Sequence, residues 1–204
     1  MDRSGLRAAL ALLACVLAAW QAPAHPHGHV DQQAFLSVAD DRIQLRLAIL
    51  PSPAQGQTVA GHLDLDGDGR VSEFETAAFA RDLLAGVRLT ADGEALKLAS
   101  PRVSWAPLHR IRSGEGGIEV TATAVPPPLP AEILLRIDAL DFAADWFLQP
   151  FLSEALLEAR GVPEILRDVS GKALSLRFIP RPAARDTTFD RAESTQFQPA
   201  REGH

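Results

Sequence analysis

The sequence predicts an α+β fold: an antiparallel β-sandwich with an inserted helix–loop–helix and a short helical segment before the last strand. Three observations carry this. Strict apolar alternation runs through Arg42–Leu50 and Ile118–Val125, the period of a half-buried strand. Asp92-Gly93 is a strong hairpin turn signal between two further apolar runs. A helical pattern over about Ser72–Leu84 interrupts the strands.

The elements follow in order. Arg3 and Arg7 precede an apolar run, Ala8–Trp20, and then Ala22-Pro-Ala24. This is the layout of a secretory signal peptide. The run is too short to span a bilayer, which takes about 20 apolar residues. A core helix would leave the positive flank and the small-residue site as coincidence. Residues 1–24 are therefore expected to be a signal peptide cleaved after Ala24, giving an exported, periplasmic chain. Cys15 follows Leu-Leu-Ala, faintly like a lipoprotein box, but the apolar run continues past it. Cleavage removes this single Cys, so no disulfide or thiolate metal site is expected.

Residues 25–179 read as one β-rich domain. Strands are expected at Ala34–Val38 and Arg42–Leu50, with Asp40-Asp41 in the turn. The helix–loop–helix insert occupies about 52–86. Ser52-Pro53 offers an N-cap with Pro at the first helical position, although Gly56 and Gly61 weaken that helix. In the second helix Phe74, Ala77, Ala78, Phe79, Leu83 and Leu84 supply an apolar face, and Gly86 can end it. Strands are then expected at Val87–Thr90, Ala95–Leu98, Ile118–Val125, Ala131–Ile137 and Ala173–Ile179. Phe142–Arg160 has helical and aromatic character. Residues 180–204 lose all periodicity and read as a flexible tail.

Composition bounds the function. Of 204 residues, 47% are hydrophobic and 23% charged, which suits a globular domain. The net charge of −6 argues against nucleic acid as a partner, since phosphate binding needs a basic face. No G-x-S-x-G elbow, surviving Cys nucleophile or Gly-rich phosphate loop is present, so no enzyme is expected.

One stretch carries chemistry. Residues 64–75 read D-L-D-G-D-G-R-V-S-E-F-E. Asp64, Asp66 and Asp68 place carboxylates at alternate positions, and Gly69 suits a sharp turn. Arg70 would contribute a backbone carbonyl. Ser72 can ligate directly or through water, and Glu75 can close the site with both oxygens. Calcium, a hard cation, takes about six to eight such oxygens. Ser72-x-x-Glu75 is also a capping box, and Asp-Gly-Asp-Gly can be a plain acidic turn. Those readings leave the alternating Asp, the placed Gly and the distant Glu unexplained together.

The string resembles the calcium loop of the EF-hand family. The resemblance covers the loop fully and the flanking helices in part. It implies Ca2+ bound by Asp64, Asp66, Asp68, Arg70, Ser72 and Glu75. Family members usually work in pairs, and no second loop is found. A lone loop implies weaker binding and a structural or partner-binding role.

The expected mature start is His25-Pro-His27-Gly-His29. Histidine is the commonest transition-metal ligand near neutral pH, so His25, His27 and His29 form an alternative metal site for Cu or Ni. Pro26 lacks the N–H that the amine–amide–imidazole mode needs. This start also resembles exported bacterial proteins of unknown function whose mature chains begin His-Pro-His. Some of those are periplasmic partners of nickel or cobalt permeases. The resemblance implies, as an alternative, a periplasmic protein that binds or delivers Cu, Ni or Co, with a membrane metal permease as partner.

Overall fold

Val30–Val38 (β1) and Ile43–Pro51 (β2) alternate buried and open side chains. Successive Cβ atoms leave a strand on opposite faces, so this alternation puts one row inside and one outside. The strands pair antiparallel with Leu36 opposite Leu45 and Ala34 opposite Leu47. A one-residue slip of either strand would turn its apolar row to solvent, so burial itself holds the register. The computed structural model describes residues 29–140, 142 and 146–179. The expected signal peptide and tail lie outside these residues.

The remaining elements are two helices, Gly56–Leu63 (α1) and Glu73–Ala85 (α2), then strands Val87–Ala91 (β3), Glu94–Ala95 (β4) and Ala99–Trp105 (β5). Helix Leu108–Arg112 (α3) leads to Ile118–Ala124 (β6), Glu132–Ile137 (β7) and Trp146–Leu152 (β8). Helix Glu154–Arg160 (α4) precedes Glu164–Arg167 (β9) and Ala173–Arg177 (β10). They form two five-stranded sheets, in the orders β5-β6-β2-β1-β8 and β4-β3-β7-β10-β9. Every pairing is antiparallel except β1 with β8. The chain is thus mixed α+β with two mostly antiparallel sheets.

Several boundaries differ from expectation, each for a local reason. The Asp92-Gly93 turn forms, with φ of 50° and 84° at its two residues, but the strand after it stops at Ala95. A separate strand, β5, then runs along β6 with a register shift between Ala99 and Arg102. Trp146–Leu152 is a strand, where helical character was expected. It lies parallel to β1, with Trp146 and Leu148 buried. Helix α4 begins directly after it, capped by Ser153, whose hydroxyl accepts from the Leu156 N–H.

Helix α1 starts later than Ser52-Pro53 predicts, because residues 53–55 form a turn in which the Gln55 N–H donates to the Ser52 carbonyl. In α2 Phe74 is 75% exposed and Ala77 is also outside. The inward face is Glu75, Ala78, Phe79, Ala80 and Leu83 instead. Gly86 ends this helix with φ −86°, so left-handed freedom is not what selects glycine. A Cβ there would lie 2.7 Å from the Cα of Ala139, so the close approach of that backbone selects it.

One hydrophobic cluster draws Leu45, Leu47 and Ile49 from the first sheet and Leu89, Ile133, Leu135, Leu174 and Leu176 from the second. Val59, Leu63, Phe79 and Leu83 join it from the helix pair. Burying each is worth about 1.5–3 kcal/mol, whereas each glycine in α1 costs about 1 kcal/mol of helix propensity. Tertiary packing therefore outweighs the weak intrinsic helicity of α1. No helix among the described residues is long and apolar enough to cross a membrane.

Candidate metal site

Leu63 is the last residue of α1 and is completely buried. It delivers Asp64 to the edge of the core, where Asp64 keeps only 4% of its surface exposed. The chain then turns out to solvent. Gly67 and Gly69 adopt φ of 73° and 85°, the left-handed region that glycine enters without strain. The Gly69 N–H donates back to Asp64 Oδ2 at 3.2 Å. The Asp68 N–H donates to Asp66 Oδ1 at 3.1 Å, and the Arg70 N–H to Asp68 Oδ1 at 2.7 Å. Each carboxylate thus holds the backbone two or five residues onward, and the three side chains turn towards a common point.

Asp64, Asp66 and Asp68 can each offer one carboxylate oxygen, and these oxygens all lie within 4.8 Å of one another. Such a grouping could hold a metal ion. Asp66 and Asp68 are exposed, while Asp64 is buried. Asp64 Oδ1 has no hydrogen-bond partner. A buried carboxylate oxygen left without a donor is costly, because water no longer solvates it. A cation on that oxygen would remove the cost, so the donor set fits a hard ion.

Glu75 does not join that group. Its Oε1 accepts from the backbone N–H of Leu65 at 2.7 Å and of Asp66 at 3.4 Å. Its Oε2 accepts from both the N–H and the hydroxyl of Ser72, each at 2.8 Å. In return the Ser72 hydroxyl accepts from the Glu75 N–H at 3.2 Å, completing a capping box at the start of α2. These donors, the Ser72 N–H foremost, pull the Glu75 carboxyl down to about 2. The carboxylate thus ties both ends of the loop together. Arg70 is exposed, and its backbone N–H donates to Asp68 Oδ1.

One residue at this site was not legible in the sequence. Arg112, at the end of α3, donates from a guanidinium nitrogen to Asp64 Oδ2 at 2.7 Å. The carboxylate is almost fully buried and the guanidinium is 35% exposed. Its only sequence signal is a basic run, His109-Arg110-Ile111-Arg112, that could answer an acidic loop.

Of the alternative site, His25 and His27 lie outside the described residues, and His29 is exposed just before β1. His62, at the end of α1, meets Phe142 edge-on with ring centroids 5.2 Å apart. No protein-family model matches the chain, and no curated protein or solved structure is significantly similar to it.

Proposed function

We propose that this chain is an exported calcium-binding protein whose single EF-hand-type loop serves a structural or partner-binding role and no catalytic one. The observation that carries the reading is Asp64 Oδ1, a buried, unpartnered carboxylate oxygen beside Asp66 and Asp68. Oxygen-only donors favour a hard cation, and a set of six supplied by the protein itself favours calcium over magnesium, which usually keeps several of its waters. Asp64, Asp66 and Asp68 would supply side-chain oxygens, Arg70 a carbonyl, and Ser72 and Glu75 would close the site. All four carboxylates already accept hydrogen bonds within the loop, an arrangement that orders a loop rather than prepares a reaction. The two sheets, which share one hydrophobic cluster, would stack as a β-sandwich that holds the helix pair.

A lone loop of this kind is expected to bind at about 10⁻⁴–10⁻³ M, the range of extracellular modules. Calorimetric titration of calcium into the chain tests the reading. Saturable heat and a raised melting temperature at millimolar calcium support it, provided both fall in Asp64→Asn and in Glu75→Gln. No heat and no melting shift in the unsubstituted chain overturn it.

A further inference from the structure

We propose that Arg112 is an internal counter-cation that sets the affinity of the loop, holding it ordered without an ion and weakening its grip on calcium. The inference rests on the calcium reading of the same loop. The loop concentrates Asp64, Asp66, Asp68 and Glu75 within twelve positions, and like charges so placed repel. Arg112 relieves the most buried of them. It reaches Asp64 from another part of the chain, and its partner's carboxylate is 1% exposed.

The two oxygens of Asp64 have divided roles. Oδ2 takes the Gly69 N–H and the Arg112 guanidinium, while Oδ1 takes no donor. Arg112 therefore leaves the free oxygen available to an ion and places its own positive charge on the other oxygen of the same carboxylate. That charge opposes a divalent cation arriving at Oδ1. The Gly69 N–H holds Oδ2 independently, so removing the guanidinium leaves the carboxylate oriented. Charge, not orientation, is what the loss of Arg112 changes at the ion.

Arg112 is also held firmly in place. The backbone carbonyls of Ile111 and Arg112 press on Gly56, where a Cβ would collide with both. The Ser52–Pro53 backbone sits equally close to Gly114, which adopts φ 76°. The segment around α3 is thus laid along the start of α1, and Arg112 reaches over to the residue that follows its end. Among the described residues the guanidinium's hydrogen bond is to Asp64 alone, and its Nε is buried without a partner.

The test compares the unsubstituted chain with Arg112→Gln and Arg112→Lys by calcium calorimetry, and by melting in a calcium chelator. Arg112→Gln is expected to bind calcium at least about tenfold more tightly, the scale that one charge exerts on a divalent ion even where water screens it fully. It is also expected to melt lower in chelator, so that calcium raises its melting temperature by more. Arg112→Lys keeps the charge and is expected to return the affinity towards that of the unsubstituted chain. Equal or weaker binding by Arg112→Gln, with the unsubstituted chain binding normally, overturns the role of Arg112 and leaves the calcium reading standing. Absence of binding in all three overturns both.

Discussion

Asp64 and Arg112 stand 48 positions apart in the chain and meet at 2.7 Å. The contact joins a loop between two helices to the end of a helix that precedes β6. It couples the two regions energetically. A fully buried pair broken on one side costs about 3–5 kcal/mol, and exposed pairs are worth about 1 or less. With the guanidinium 35% exposed, Arg112→Gln is expected to cost about 1–3 kcal/mol without calcium. A double-mutant cycle with Asp64→Asn, read by urea unfolding in chelator, measures this. Additive losses would show that the two side chains do not interact.

Gly56 and Gly61 lie in the same helix and are expected to answer alanine in opposite directions. At Gly61 a Cβ meets nothing within 4 Å, so Gly61→Ala should stabilise by about 0.5–1 kcal/mol through helix propensity. At Gly56 a Cβ would strike the carbonyls of Ile111 and Arg112. Gly56→Ala should therefore destabilise by about 1–3 kcal/mol. Thermal melts of the two variants check the pair, and a gain at Gly56 would contradict the close contact.

Ser72 serves the helix and the loop at once. Its hydroxyl accepts the Glu75 N–H and donates to the Glu75 carboxylate. Ser72→Ala should cost about 1 kcal/mol without calcium. It should also weaken calcium binding, because Glu75 loses a donor that orients it. Ser72→Thr keeps the hydroxyl and should recover most of both, by the same melt and titration.

Away from the loop, Glu132 is held below the ordinary carboxylate range, first by the Ser175 hydroxyl at 2.7 Å and then by Arg177 at 3.2 Å. A carboxyl depressed in the folded state adds stability above its unfolded range and loses it as pH falls through the folded value. Acidification should thus weaken the β7–β10 pairing. Urea midpoints against pH should fall less steeply below the carboxylate range in Glu132→Gln than in the unsubstituted chain. Parallel curves would show that Glu132 contributes nothing to acid sensitivity.

The contrast between Asp64 and Arg112 shows what a chain reveals before it folds. The loop was legible because its donors and its glycines fall within twelve consecutive residues, where spacing alone fixes geometry. Strands β2 and β6 were legible because one face of each is buried, which writes alternation into the sequence. Strand β5 was hidden because it is open almost throughout and has no apolar row to read. Strand β8 was hidden because its aromatic residues run straight into α4, so two periods overlap. Arg112 was hidden because nothing in a local pattern says which distant arginine a buried aspartate will meet. Glu75 was read as a ligand and as the partner of Ser72 in a capping box, and its tie to Leu65 and Asp66 became visible only with the backbone in place.

The parallel pairing of β1 with β8 also has a consequence in time. Gln32–Val38 on one strand lies beside Trp146–Leu152 on the other, so the first strand made must wait for one of the last. During that interval β1 can pair with β2 on one side only, and its other edge offers unpaired N–H and C=O groups to any neighbouring strand. The order of synthesis therefore makes this edge the place where newly made chains are most exposed to pairing with one another.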